Sequence, residues 1–188
     1  MSFIHKFLTH IFRRYTAELG LGEQDLSALQ AAGLKLGTGG YIGPGCVFDP
    51  SHAFLIEIGN DVVFSTRVRL IAHDASTRPA TGYTKIGRIL IGDRCFIGSD
   101  TTVLCGVTIG ADCLVGASSV VTKDLPPGGV YAGSPAKFIC SLEAYNQRNA
   151  ELLETSPKFD ASYLIDNITP EKKQEMLAAL SDGVGFIV

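Results

Sequence analysis

From Ile91 onward a branched apolar residue recurs at every sixth position. Read in sixes, the chain runs IGDRCF, IGSDTT, VLCGVT, IGADCL, VGASSV and VTKDLP, opening on Ile91, Ile97, Val103, Ile109, Val115 and Val121. Ile and Val make up 27 of 188 residues, so six consecutive hits arise by chance at odds on the order of 10⁻⁵. Glycine follows the first residue at Gly92, Gly98, Gly110 and Gly116, and the fifth positions (Cys95, Thr101, Val107, Cys113, Ser119, Leu125) are mostly small. Two upstream blocks share the register, opening on Leu36, Ile42 and Phe48 and on Ile58, Phe64 and Leu70. Between them, four residues are inserted near His52. A longer polar stretch, HDASTRPATGYTK, separates Leu70 from Ile91 and predicts a loop leaving the repeat.

A period of six suits short strands separated by tight corners, not a helix. The branched residue points inward, and glycine or a small polar residue is expected to take the strained corner conformation. Three such sides close a triangular coil of eighteen residues, and successive coils stack as parallel strands. The expected fold is therefore mainly β: a parallel β-helix over 34–138 with a protruding loop at 73–88.

Different patterns flank it. In segment 1–33, Ile4, Leu8, Ile11, Phe12, Tyr15 and Leu19 fit one face of a helix, with Lys6, Arg13 and Arg14 on the other. That helix is expected to cap the open end of the coil; contact with an anionic membrane or an assembly partner is the alternative. Segment 139–188 reads as a helical tail for packing and oligomer contacts. One helix spans about Ser141 to Glu154, a second opens at Thr169-Pro170 and runs to Asp182, and GFIV is one short strand.

Composition narrows the class. With 188 residues the chain is long enough for one domain with appendages and a core that needs no staples. The charge balance, 16 − 19 = −3, argues against a nucleic-acid partner, which calls for a basic footprint. No apolar run reaches the ~18–20 residues of a membrane span, and MSFIHKFLTHIFRR lacks the cleavage pattern of a signal peptide. Five cysteines without a C-x-x-C pair predict free thiols in a reducing cytoplasm. Cys46, Cys95 and Cys113 sit at inward fifth positions and read as small buried hydrophobes; Cys105 and Cys140 have no histidine nearby in sequence.

Four histidines are available for chemistry. His5 and His10 lie on the N-terminal segment, His52 at the insertion, and His73 where the polar loop leaves the coil. Neutral imidazole is the natural general base near neutral pH. Asp74 follows His73 directly, but consecutive residues of an extended chain point to opposite faces, so Asp74 need not orient it. Arg78 and Lys85 on the loop either steer an acidic acceptor or simply solvate it. Ser99 and Ala117 are eighteen apart and form a column of small side chains suited to an extended ligand.

The repeat, the HDAS loop, GSD, GAS, VTKDLPPG and the AGSPAK ending occur in that order, and together they resemble the hexapeptide-repeat acyltransferases. The likeness covers roughly residues 20–140 and is strongest to maltose and galactoside O-acetyltransferases. The HDAS stretch and the DGVGFIV tail look, more closely, like polysaccharide-biosynthesis O-acetyltransferases. The resemblance implies a left-handed coil, against the usual right-handed crossover. It implies acetyl-CoA as donor and His73 as catalytic base, with transfer direct to the acceptor. Ser99 and Ala117 would contact the pantetheine arm and Lys123 the nucleotide end, with Lys137 a second candidate for the phosphates. A homotrimer is implied, with sites between subunits, His73 from one and part of the cofactor groove from its neighbour.

The expected activity is O-acetylation of a sugar or nucleotide-sugar hydroxyl for capsule, O-antigen or exopolysaccharide. Acetylation of a streptogramin- or chloramphenicol-type antibiotic and a noncatalytic trimer scaffold are the alternatives. No metal is expected. A hydratase on this fold needs three histidine ligands, and setting aside the N-terminal pair leaves only His52 and His73.

Overall fold

The computed structural model describes residues 24–188, in two units: one through Leu142, the other Glu143–Val188. The expected amphipathic helix, with His5 and His10, lies outside the described residues.

In the first unit three parallel walls form a coil. The first wall stacks Lys35–Leu36, Ile56–Ile58, Ile89–Ile91 and Thr108–Ile109. The second stacks Tyr41–Ile42, Val63–Phe64, Phe96–Ile97, Leu114–Val115 and Gly129–Ala132, with Lys137–Ser141 added antiparallel. The third stacks Val47–Phe48, Arg69–Ile71, Thr102–Leu104 and Val120–Val121. Register follows the hexads: Leu36 lies beside Ile58, Ile58 beside Ile91, and Ile91 beside Ile109. Phe48, Leu70, Val103 and Val121 form the matching row of the third wall. The 21-residue step from Leu70 to Ile91 is thus one ordinary corner of six plus 21 − 6 = 15 added residues.

Inward residues fill the prism. Phe64, Leu70, Ile97, Val103, Val115 and Val121 are fully buried, as are the fifth-position Cys95, Thr101, Val107, Cys113 and Ser119. Among them, the thiols and the Thr101 hydroxyl donate to carbonyls of the neighbouring coil. Cys46 Sγ reaches Ser65 O at 3.1 Å, Cys95 Sγ reaches Gly110 O at 3.1 Å, and Thr101 Oγ1 reaches Gly116 O at 3.2 Å. Small size and a hydrogen to donate explain the residue choice better than redox chemistry. Burial pushes the Cys46 thiol up to about 11.

The corners largely meet expectation. Left-handed backbone is taken by Gly39, Asp61, Arg94 and Asp112 on one edge and by Gly45, Arg67, Asp100 and Ser118 on the next, with the two arginines as the departures. The glycines that follow the inward residues are not among them. Stacked corners are tied together: Arg67 makes a two-pronged pair with Asp100 at 2.7 and 2.6 Å, and Arg94 one with Asp112 at 2.7 Å. Left-handed backbone costs a non-glycine residue about 1–2 kcal/mol, whereas burying one branched side chain gains about 1.5–3 kcal/mol. The core therefore sets the corners.

Glycine follows the inward residue because the coils approach too closely for a side chain. A Cβ on Gly98 would sit 2.5 Å from the Ala117 nitrogen, and one on Gly92 2.5 Å from that of Ala111.

The second unit holds helices Leu142–Thr155 and Pro170–Ala179, the latter capped by the Thr169 hydroxyl, which accepts from the Lys172 amide. The second helix stops at Ala179, three residues before the expected Asp182, with Leu180 closing it onto the Met176 and Ala178 carbonyls. Phe186–Ile187 pairs in parallel with Lys158–Phe159. Gly185 packs where a Cβ would meet the Leu180 and Phe159 side chains.

Gly98→Ala should lower the melting temperature, with a loss of about 1–3 kcal/mol from overpacking. Gly183→Ala, where nothing lies within 4 Å of an added Cβ, should leave it unchanged; equal melting curves for the two variants would remove close coil approach as the reason for the glycines.

Candidate active site

Both insertions in the repeat fall on the same edge of the prism, between the third and first walls. The shorter, Pro50–Leu55, is a pair of 3-10 turns kinked at His52 and capped by Asp49, whose Oδ1 accepts from the Ser51 amide at 3.0 Å. The longer opens at His73. It turns through Ala75–Thr77 and Arg78–Thr81, uses left-handed Gly82 to reverse, and returns as Lys85–Ile86. His73–Asp74 and Lys85–Ile86 pair as an antiparallel hairpin. Thr77 locks it: its hydroxyl donates to Tyr83 O at 2.8 Å and accepts from the Lys85 amide at 3.1 Å.

This geometry gives His73 a carboxylate. Asp49 Oδ2 lies 2.5 Å from His73 Nδ1 and also accepts from the Ala72 amide at 3.1 Å. The Asp49 side chain is 1% exposed and that of His73 38%. Burial works against the Asp49 charge, but the bond from His73, the Ser51 amide and the two imidazoles outweigh it and hold the carboxyl below its ordinary range. An ionised carboxylate only accepts, so His73 donates from Nδ1–H and keeps its Nε2 lone pair for a proton. A buried carboxylate and a half-exposed imidazole in this order have the geometry that a general-base dyad requires. Asp49 was not among the residues singled out from the sequence. Its signal was positional: Asp opens the four-residue insertion, one coil before the His73 loop.

Asp74 points elsewhere. Its Oδ1 accepts from the Ser76 hydroxyl at 2.6 Å and amide at 3.0 Å, and Lys85 Nζ stands 3.1 Å from Oδ2. The Ser76 hydroxyl first, then Lys85, pull its carboxyl down to about 2. Lys85 is thereby engaged with Asp74, while Arg78 is exposed on the loop. His73, Asp74, Lys85, Ile71, Leu104 and Cys105 line a cavity of about 250 Å³. Cys105, without a histidine nearby in sequence, thus shares a cavity with His73. A larger hollow of about 420 Å³ borders the first coil but holds no histidine, carboxylate or amine.

The remaining candidates divide between two edges. Ser99 and Ala117 sit at the corner between the second and third walls, joined by the Ser118 amide donating to Ser99 O at 2.7 Å. The Ser99 hydroxyl is held by Ser65 Oγ at 2.7 Å and Thr66 Oγ1 at 3.1 Å, while Ala117 is exposed. Lys123, exposed, lies two residues past Val121, whose row runs through Val103 to Leu70; it therefore belongs to the edge of His73. Lys137 is exposed on the antiparallel strand, opposite Ala132. Within one chain the third wall, about 10 Å across for three residues, separates the Ser99–Ala117 column from His73.

Comparison with known proteins agrees with this reading of the coil. Residues 88–123 match the family described as bacterial transferase hexapeptide (six repeats). The chain is 33% identical over 93 residues to YvoF of Bacillus subtilis (strain 168), provisionally named an acetyltransferase, covering 50% of this chain and 52% of that one. It is 39% identical over 114 residues to Protein CapG of Staphylococcus aureus, covering 58% and 66%. The matched stretch thus spans about half to two thirds of these relatives' own length. Among solved structures, a maltose O-acetyltransferase from Clostridium difficile 630 superposes with a TM-score of 0.50 at 30% identity, over 58% of this chain and 59% of that one. Residues 88–123 thus carry the hexapeptide repeat of bacterial transferases, and the coil shares its fold with the maltose O-acetyltransferase over the matched part.

The Asp74 contacts stabilise the folded loop above the unfolded carboxylate value of 3.8, and that contribution is lost as pH falls toward about 2. A carboxyl ¹³C titration should place the Asp74 midpoint near 2 and move it upward in Lys85→Ala. A midpoint near 4 in the wild type would mean that the loop contacts do not persist in solution.

Proposed function

We propose that the chain is an acetyl-CoA-dependent O-acetyltransferase, with a sugar or nucleotide-sugar hydroxyl as acceptor. The observation that carries this reading is the Asp49–His73 dyad, opening onto a cavity at the edge of a hexapeptide coil. The likeness to a maltose O-acetyltransferase supports both the acetyl donor and a sugar acceptor. A role in capsule, O-antigen or exopolysaccharide assembly rests on the HDAS loop and the DGVGFIV tail. The free cysteines favour the reducing cytoplasm as the setting. Among the described residues no helix is long and apolar enough to cross a membrane.

In this reading His73 Nε2 removes the proton of the acceptor hydroxyl as its oxygen attacks the thioester carbonyl. The new C–O bond forms, the C–S bond breaks, and the sulfur of coenzyme A leaves with a proton. Asp49 holds the ring in the tautomer that frees Nε2 and stabilises the imidazolium formed. The thioester lies along the Ser99–Ala117 column with its nucleotide end toward Lys123 or Lys137.

Because that column and His73 occupy different edges of one prism, a complete site calls for two chains. The outward row Tyr41, Val63, Phe96 and Leu114 on the second wall is aromatic or aliphatic throughout, whereas the first wall includes Lys35 and Glu57 and the third includes Arg69 and Thr102. That apolar row favours the second wall as a subunit contact within a homotrimer.

His73→Ala should stay folded and bind acetyl-CoA while turnover falls by about 10²–10⁴. Asp49→Asn should also lose turnover with acetyl-CoA affinity retained. Turnover is read as thiol release on a panel of nucleotide sugars, free sugars and antibiotics. Unchanged rates in His73→Ala would exclude it as the base; turnover with antibiotics alone would replace the sugar acceptor.

The shared site is tested by mixing subunits. His73→Ala and Ala117→Trp, each impaired alone, should regain activity when co-expressed, since some interfaces carry both native residues. Lys123 is the wrong partner for this test because it shares the edge of His73. Parental activity in proven mixed oligomers would place the whole site within one chain.

A further inference from the structure

Asp49 has two imidazoles beside it. His73 Nδ1 is 2.5 Å and His52 Nδ1 3.7 Å from Asp49 Oδ2, and the three ligand atoms all lie within 4.8 Å of one another. The two rings are 5.3 Å apart, tilted by 40°. The His73 nitrogen is engaged with the carboxylate, but His52 Nδ1 is buried and has no hydrogen-bond partner. A buried ring nitrogen without a partner is unusual, and here it faces the most buried carboxylate of the site. The kinked backbone of His52, φ −135° and ψ 35°, holds it there between two 3-10 turns.

We infer that Asp49, His52 and His73 form a binding site for a zinc-class divalent cation, and that occupying it silences the His73 base. Two imidazoles and one carboxylate suit zinc, which binds nitrogen at about 2.0–2.1 Å and carboxylate oxygen at about 2.0–2.2 Å. Magnesium and calcium prefer oxygen donors throughout. Ligand atoms of a tetrahedral zinc stand about 3.3–3.5 Å apart by those bond lengths, against 2.5 and 3.7 Å here for the two pairs to Asp49 and at most 4.8 Å for the third, so side-chain rotations complete the site. The carboxylate is already oriented by the Ser51 and Ala72 amides, the outer support that metal-binding carboxylates generally have. The imidazoles are 26% and 38% exposed, which leaves the ion a path from solvent and an open fourth position for water.

The proton bookkeeping explains the effect on the base. As a base, neutral His73 carries its hydrogen on Nδ1 and its lone pair on Nε2. A metal at Nδ1 takes the lone pair there, so the ring hydrogen moves through solvent to Nε2. His52 donates its Nδ1 lone pair and keeps its hydrogen on Nε2. No proton is released overall, yet the nitrogen that should accept the acceptor's proton is already protonated. A carboxylate here stands in the third ligand place that a three-histidine hydratase fills with histidine.

The inhibitory half rests on the acetyltransferase reading; the binding half does not. Metal-free protein is titrated with zinc against a chromogenic chelator and, separately, with cobalt(II) followed by visible absorption. One zinc per chain with a tetrahedral cobalt spectrum is expected. Affinity should fall at least tenfold in His52→Ala and in Asp49→Asn, with folding checked by melting, and remain unchanged in Cys105→Ala. Equal zinc affinity in wild type and folded His52→Ala overturns the site. Loss in Cys105→Ala without loss in His52→Ala overturns it too, since the ion then sits on the thiol. In wild-type protein, imidazole ¹⁵N spectra should show both Nδ1 resonances move on zinc addition, and unmoved resonances overturn the assignment even if the variants fail to fold. Thiol release should fall with the same midpoint as binding and return with EDTA; full turnover at saturating zinc overturns the inhibition. Zinc bound at these residues by a protein with no transferase activity leaves the site standing and removes the enzymatic reading instead.

Discussion

Everything in the first unit depends on parallel coils stacking at the spacing of hydrogen-bonded strands, about 4.8 Å. At that distance each inward residue must sit directly over its counterpart, and on the first wall the residue after it has no room for a side chain beneath the next coil's backbone. Ile58, Ile91 and Ile109 in one row and Gly59, Gly92 and Gly110 in the next are two consequences of the same spacing. The left-handed corners at Asp61, Arg94 and Asp112 are a third, because a strand two or three residues long must turn at once to keep its inward residue in the row.

A coil this regular has smooth walls, and chemistry enters where the period is broken. The chain breaks it twice on one edge, by four residues at Pro50–Leu55 and by fifteen after His73. Stacking brings the first break beneath the second. That converts two sequence-distant insertions into a buried carboxylate under a half-exposed imidazole. Asp49 is tolerated there only because two amides and a ring nitrogen meet it; a carboxylate with fewer donors at 1% exposure would be neutral or expelled.

The same regularity divides the candidate binding residues. Small side chains at Ser99 and Ala117 mark one edge and the dyad another, so the rigid prism cannot bring them together within one chain. Assembly through the apolar row of the second wall would supply what the coil itself cannot. The prism sets where each group stands, and in the proposed homotrimer the arrangement of copies would complete the cleft.

The sequence by itself determined the coil. Hexad spacing named every inward row that the strand register displays, the fifth-position thiols and hydroxyls, and both places where the chain leaves the repeat, because inward packing imposes its period on local sequence. His73 was legible too, as the histidine that opens the longer loop. Tertiary structure alone decided which carboxylate serves it. Asp74 is adjacent in sequence yet turns to Ser76 and Lys85, since neighbours on an extended strand face opposite sides. Asp49, 24 residues earlier, reaches His73 only once the coils stack. The same stacking decided that His52 joins them, that Cys105 shares their cavity, and that Lys123 stands on the edge of His73 while Ser99 and Ala117 do not. These relations come from register between coils, and no local pattern encodes which side chains a stacked edge will bring face to face.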